Sequence, residues 1–569
     1  MRRRIVAILL LCLPVMLTAQ TDSLLLTDYE FAEQQDTWLR SENASGLTRL
    51  SAAGTDTMQP RLYHLSEAQL SARRDWGSLA DYFEAPKALS FGAHVASYYR
   101  LNAKTVLYGS ISYDNFSGHD MTGSAFIDPT RQPFDIVEDS LTNPGNKHRD
   151  TYHLTGAFGT TVANGFAIGL KLDYLTANYS KYKDLRHKNS LMDLTLTAGL
   201  SWSGQTPIGP VQMGADFYYR RNTESLTFAT YGKGDKVYKS LVAYATFTGH
   251  IETFGENGYT DKSREMPLMS EYTGGGLQMS CDLTPRLQWF NELTLRHRKG
   301  YYGKRSPYTI SYNEHNSDIY GYHGRLSMRS ASALHSIDVM LNAENLEDFA
   351  NSYREETDNN SATHYEYFTP VKTSNHLWKN GQVAYTAQWA IRHLLPTWSL
   401  TLGGQWFSRR QTAYVYPYYR SQDIGNRKLT ASLQHSTFLG CTRDGGSTKG
   451  GLLSARLSLS HQWGHGEPFH DATFIAPSDK QTPPPVMKAM LYQNYDYVTA
   501  RQWGVAATVR YAFPWASCKM APYAELHYAF TKAHPATSDR AATEADTTEN
   551  SNGRHPQRQQ LGFAIGITF

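Results

Sequence analysis

Hydrophobic and polar residues alternate along most of this chain with a period of two. In residues 166–176 the apolar set is Phe166, Ile168, Leu170, Leu172 and Tyr174, with Lys171 and Asp173 between them. Met192, Leu194, Leu196, Ala198, Leu200 and Trp202 alternate with Asp193, Thr195, Thr197 and Ser201. The same holds for 277–283, 287–296 and 503–513. Side chains point to opposite faces at successive strand positions, so each run has one apolar and one polar face. Such runs last about 10–14 residues, the length that crosses a bilayer at a tilt, whereas strands of soluble sheets are nearer 5–6. The last segment keeps the pattern to the terminus: Leu561, Phe563, Ile565, Ile567 and Phe569 alternate with Gly562, Ala564, Gly566 and Thr568.

The connections fall into two alternating populations. Short turns occur at 101–103, 164–165, 203–207, 284–286, 329–331 and 394–397. Long polar segments occur at 114–149, 180–190, 222–273, 300–317, 345–375, 409–426, 464–497 and 532–557. Short turns on one rim and long loops on the other are the asymmetry of a membrane barrel. The chain therefore predicts an all-β fold, a transmembrane antiparallel β-barrel of about eighteen strands (14–18), with short periplasmic turns, long extracellular loops and both ends on the short-turn side. The first strand, 62–76, carries Arg73 and Arg74 in sequence, and 238–251 is placed in a loop although it could form a strand.

Arg2, Arg3 and Arg4 precede an apolar stretch over 5–17, and Leu17-Thr18-Ala19 precedes Gln20. This is the pattern of a secretory signal peptide and is too short to span a membrane as a helix. The expected organisation is a signal peptide over 1–19, a polar leader or hatch over 20–61 and a barrel over 62–569. The expected location is a bacterial outer membrane reached by export.

Composition changes this picture little. Mean hydropathy is −0.51, which a barrel also gives because half of each strand faces water. The 38 tyrosines suit girdles at the two interfaces. A net charge of +3 gives no reason to expect nucleic acid as a partner. The 21 histidines show no compact ligand spacing, so neither metal nor other cofactor is expected. Cys441 and Cys518 fall in consecutive short-side turns where a disulfide is conceivable, and Cys281 falls on the lipid face. G-x-S-x-G, H-E-x-x-H and G-x-x-x-x-G-K-[ST] are absent, so no catalytic residues are assigned and no enzyme is expected.

Candidate chemistry lies at inward positions. Lys171, Asp173, Asp193, Asp282, Glu292, Arg296, Arg325, Arg329, Asp338 and Arg510 are expected to line the lumen, together with Glu344 and Arg456. Charges of both signs there set a selectivity field or brace the wall as ion pairs.

Asn43-Ala44-Ser45-Gly46-Leu47 resembles the Asn-Pro-Ala-Gly-Leu hatch element of the long-chain fatty-acid transporter family of outer-membrane barrels, without its Pro and with Ser45 for Ala. The overall layout resembles an uncharacterised Bacteroidota-type outer-membrane barrel family: the Ala19-Gln20 signal end, the polar leader, Tyr-rich strands and a terminal Phe569. That resemblance implies fold and location only. Phe563, Ile565, Ile567 and Phe569 also resemble the C-terminal signal read by barrel-assembly machinery. The expected role is a channel, a transporter or its accessory, with outer-membrane lipid and that machinery as partners and another outer-membrane receptor or lipoprotein as a further one. The alternatives are a non-conducting surface barrel whose loops bind a partner, and an outer-membrane enzyme.

Overall fold

The computed structural model describes residues 29–34, 36–50, 64–138, 143–207, 209–232, 236–256, 258–306, 308–357, 363–392, 395–439, 450–515, 520–534 and 556–569. The wall begins with β1 (His64–Gly77), β2 (Lys87–Arg100) and β3 (Thr105–Met121), and β4 (Asp135–Glu138) lies in the loop that follows. The wall resumes with β5 (Gly145–Ala163), β6 (Phe166–Lys181), β7 (Arg186–Thr206) and β8 (Gly209–Ala229). β9 (Lys239–Ala245) and β10 (Thr248–Thr253) form a hairpin before β11 (Met266–Thr284), β12 (Leu287–Ser306), β13 (Thr309–Arg329) and β14 (Ala333–Ala350). β15 (Tyr353–Thr357) and β16 (Thr363–Tyr367) pair in the next loop, ahead of β17 (Val371–Arg392), β18 (Leu395–Val415), β19 (Tyr418–Leu439) and β20 (Gly451–Gly466). β21 (His470–Thr473) lengthens the rim beside β19, and β22 (Arg501–Ala512), β23 (Ala521–His534) and β24 (Gln557–Thr568) complete the wall.

Eighteen of these strands pair antiparallel in sequence order, and β24 closes on β1 with Arg74 opposite Leu561 and Ala68 opposite Ile567. Ser66 and Phe569 exchange both backbone hydrogen bonds, at 2.9 and 3.0 Å. Closure leaves the terminal strand without a free edge. The outer face is the apolar set: Leu70, Phe91, Ile111, Leu170, Phe217, Leu277, Leu457 and Phe563 are all exposed. Trp289 and Trp398 stand near the short-turn end of this band; Tyr152, Trp406, Trp503 and Tyr528 stand nearer the long loops. A band of this kind suits hydrocarbon between two aromatic belts.

The short turns have local causes. Asn102 Oδ1 accepts from the N–H groups of Lys104 (2.8 Å) and Thr105 (2.9 Å), which reverses the chain between β2 and β3. Gly165, at φ +78°, turns β5 into β6. The consecutive arginines of β1 part by alternation: Arg73 pairs inward with Asp75 at 2.9 Å, while Arg74 lies over the Trp76 ring at 5.6 Å.

The wall strands run well beyond the alternating apolar segments. β13 starts at Thr309 rather than near 319, and β14 reaches Ala350 rather than 343. Above the bilayer both faces of a strand meet water, so the apolar alternation that marks a strand in sequence disappears there. Residues 238–251 lie outside the wall, yet they are strands: β9 joins β10 and β4 in a separate three-stranded sheet. Leu241 and Val242 are both fully buried, because this sheet is covered on two sides.

Candidate functional site in the lumen

Three short elements of the leader lie within the wall. These are α1 (Tyr29–Gln34), α2 (Thr37–Arg40) and a 3₁₀ turn over Ala44–Arg49. Trp38 is buried; its Nε1 donates to Ser280 Oγ of β11 at 2.8 Å and its ring meets Phe290 of β12 edge-on at 5.7 Å. Asn43 is completely buried. Its Oδ1 accepts from Ser45 N at 3.1 Å and caps the turn, while Nδ2 donates to Leu200 O (3.0 Å), Ala215 O (3.2 Å) and Gln278 Oε1 (3.0 Å). One side chain thus holds the turn and fixes it to β7, β8 and β11.

The turn rests on a row of glycines. Gly159, Gly169 and Gly199 are direct cross-strand partners on β5, β6 and β7. A Cβ on Gly159 would stand 2.6 Å from Ala44 O, one on Gly169 2.2 Å from Ser45 N, and one on Gly199 2.0 Å from Asn43 Oδ1. No side chain fits where leader backbone approaches wall backbone this closely. Polar ties surround the seat: Arg296 pairs with Glu42, Arg49 Nη1 donates to Gln212 Oε1 at 2.8 Å, and Tyr98 OH donates to Glu33 at 2.6 Å.

Long loops fold inward at the other end. Ala125, Phe126, Phe134 and Ile136 from the β3–β5 connection form one apolar cluster with Val242 of β9 and Leu226, Leu268 and Tyr302 of the wall. Arg131 reaches Asn380 Oδ1 at 3.2 Å and lies over the Trp378 ring at 4.9 Å. His376 Nε2 of β17 lies 3.2 Å from Pro133 O and 3.1 Å from Tyr244 O, touching two loops at once. Helix α3 (Lys488–Thr499) adds Asn494, which donates to both oxygens of Asp81 (3.0 and 2.8 Å) and accepts from Arg409 Nη2 at 2.7 Å. Asp135 accepts from Tyr82 OH at 2.9 Å and Ser124 Oγ at 2.6 Å. Burial pushes the Asp81 and Asp135 carboxyls up to about 6 even though these hydrogen bonds favour the charged forms.

Each charge expected in the lumen can now be placed. Lys171 borders a cavity of about 200 Å³ beside the leader. Asp173 meets His153 (2.9 Å) and Thr155 (2.8 Å); Asp193 meets Arg220 Nε at 2.8 Å; Asp282 accepts from Gln288 at 3.0 Å. Glu292 accepts from Gln278 at 3.0 Å, which links it to Asn43. Arg296 holds the leader, Arg325 lies 3.7 Å from Asp338, and Arg510 lies 3.4 Å from Glu67 and over the Tyr523 ring at 3.6 Å. Arg329 ends β13, where its N–H donates to Arg286 O at 2.7 Å in the short-side turn. Most of these charges are paired across strands rather than gathered into one centre. Alternation did not point to Glu42, Trp38, Asp81, Asp135, Arg409 or Asn494, since most lie outside alternating runs. Cys441 and Cys518 lie outside the described residues, as does the segment over 1–19; Cys281 is buried, opposite Val211 and Trp289.

Space remains on the side of the lumen away from the glycine seat. A cavity of about 370 Å³ lies against β19, β20, β22 and β23 and reaches Glu30 of the leader. Its walls carry Arg456, Arg510, Glu525 and His527 among serine and threonine hydroxyls.

One family model matches residues 54–569, nearly all of the chain beyond the seated turn. The chain belongs to a family of unknown function (DUF6850). No curated protein matches its sequence. Among solved structures it is similar to the ferric preacinetobactin receptor of Acinetobacter baumannii, with 9% identity, TM-score 0.38, and 88% of this chain and 80% of that one covered. The ferric yersiniabactin uptake receptor of Yersinia pestis matches at 9% identity and TM-score 0.37 over 90% and 81% of the two chains. The ferripyoverdine receptor of Pseudomonas aeruginosa matches at 10% identity and TM-score 0.36 over 89% and 72%. The family model begins at residue 54, so it does not include the residues 43–47 that resemble the fatty-acid transporters.

Proposed function

We propose that this protein is an outer-membrane barrel, exported and inserted by barrel-assembly machinery, that passes a small polar solute through a lumen closed from both ends. The leader on its glycine seat forms the inner closure and the inward loops form the outer one. The observation that carries this reading is the built seat. Three adjacent strands give up side chains in one row so that leader backbone can lie against them. A wall braced only for stability would gain more by filling that space with side chains. The leader is held by an apolar cluster, Phe31, Leu47 and Leu50 with Leu65, Tyr98 and Val106 of the wall, as well as by hydrogen bonds and ion pairs, so its release must part both kinds of contact.

Planar-bilayer recording tests it. Purified full-length protein is expected to conduct rarely, and a variant lacking residues 29–50 to open much more often, limited then by the inward loops alone, since an eighteen-strand wall encloses an aqueous space. Silence from both, with the barrel folded, would refute passage.

A second reading has its own support. Tyr231, Tyr308, Tyr416 and Phe474 are more than half exposed on four connections at the long-loop end. Exposed aromatics there suit a surface barrel that binds a partner such as another outer-membrane receptor or lipoprotein. A silent leader-deleted variant that still captured such a partner would favour it. Neither reading asks the barrel for catalysis.

A further inference from the structure

The 370 Å³ cavity opposite the leader seat is bordered by an inward guanidinium and an inward carboxylate that do not pair with each other. Elsewhere some inward carboxylates and guanidinium groups meet across strands, as Asp193 does with Arg220 and Asp338 with Arg325. Here Arg456 donates through Nε to the neutral Gln434 Oε1 at 2.8 Å, and no described carboxylate lies within ion-pair distance of it. Glu525, two strands away, has no hydrogen-bond or ion-pair partner among the described residues. Its cross-strand neighbour Arg510 turns instead to Glu67 and Tyr523. His527 Nδ1 is engaged by Thr508 at 2.9 Å, and Nε2 has no partner among the described residues.

Among the described residues, one cation without an acidic partner and one anion without a side-chain partner therefore border the same cavity. Arg456 stands opposite Thr508, and Arg510, two residues further along β22, stands opposite Glu525. Two strand spacings and a two-residue offset separate the Arg456 and Glu525 backbones, roughly 12 Å. A guanidinium fork matches a carboxylate in two parallel hydrogen bonds, and a carboxylate accepts from an ammonium. Extended chain advances about 3.3–3.6 Å per residue, so two or three residues bridge that separation once both side chains lean inward. The volume lies at the small end of ligand pockets.

The geometry points to a binding site for a short zwitterionic peptide, its carboxylate on Arg456 and its ammonium on Glu525. This rests on the reading of that side of the lumen as the solute path, and it names the class of solute. The serine and threonine hydroxyls of the wall serve the peptide amides, which asks for no particular side chain.

Calorimetric titration of the detergent-solubilised full chain tests it with three probes: trialanine, N-acetyl-trialanine without the ammonium, and trialanine amide without the carboxylate. Trialanine should bind, and each capped form should bind at least tenfold more weakly. Arg456→Gln should abolish the preference for trialanine over the amide and leave that over the acetylated form. Glu525→Gln should do the reverse, and Arg456→Lys should restore part of the first preference. Absence of trialanine binding, equal binding of the capped forms, or a variant that weakens all three probes alike would overturn the proposal. Because the assay needs no passage, peptide binding by a barrel that never conducts would sink the transport reading alone. Conductance without peptide binding would sink the peptide site alone.

Discussion

The amide of Asn43 lies against Gly199 so closely that a Cβ on that glycine would stand 2.0 Å from Oδ1. Asn43 also donates to Leu200 O, the next residue of the same strand, at 3.0 Å. A leader side chain and a wall glycine thus occupy what would otherwise be one side chain's space. Replacing Gly199 by Val should displace the turn without unfolding the barrel, because the strand tolerates β-branched residues. Much more frequent openings, with unchanged heat-modifiable migration, are the expected result. Variant and wild-type traces that cannot be told apart would show that the seat does not gate.

The pair between Glu42 and Arg296 is a separate tie, with the two side chains 36% and 20% exposed. Partial exposure limits its contribution to about 1 kcal/mol after screening. Glu42→Gln should therefore raise opening only several-fold, well below the effect of Gly199→Val. Exchange of the two charges, Glu42→Arg with Arg296→Glu, should recover much of the loss. If the exchange proves no better than the single variants, the pair has no coupling energy.

Asp81 and Asp135 make the outer closure sensitive to pH. Both carboxyls titrate near 6 when the loops are folded inward, against the ordinary 3.8 once exposed. The inward state then binds more protons between these values, so its stability falls as pH rises from about 4 to about 6. Acidification should tighten the outer closure, by up to about 3 kcal/mol for each group. Openings of the leader-deleted protein should become rarer between pH 7.5 and 5, and Asp81→Asn should weaken that dependence. Openings that grow more frequent on acidification would contradict this.

Phe569 joins Ser66 through two backbone hydrogen bonds at the seam where the barrel closes. Deleting residues 567–569 should remove these bonds, and Phe569→Asp should keep them but replace the terminal aromatic with a charge; each should reduce folded protein in the outer membrane several-fold, measured by heat-modifiable migration of membrane fractions. Normal assembly of both variants would restrict the terminal pattern to local packing.

How much of this was legible in the sequence follows from what faces lipid. The order of the eighteen wall strands, the short turns and the closure of the last strand on the first could be read from alternation, because hydrocarbon on one side and water on the other impose a period of two on every strand. The inward charges were expected on the same ground, since they hold the other phase of that period. Above the bilayer the contrast vanishes, and so β13 and β14 are longer than their apolar alternation and β9 passed for loop.

What only the tertiary structure decided is what fills the lumen. Gly159, Gly169 and Gly199 lie ten and thirty residues apart along the chain and become one row only through strand register. Asp81, Arg409 and Asn494 come from three distant segments and meet only because two loops and a wall strand converge. Arg456 and Glu525 look like any inward charges in sequence; that Arg456 meets a neutral amide and Glu525 no described side chain depends on where Gln434 and Arg510 turn. Local alternation records which phase a residue faces. Pairing across the lumen is set by long-range register and loop packing, and no local pattern carries it.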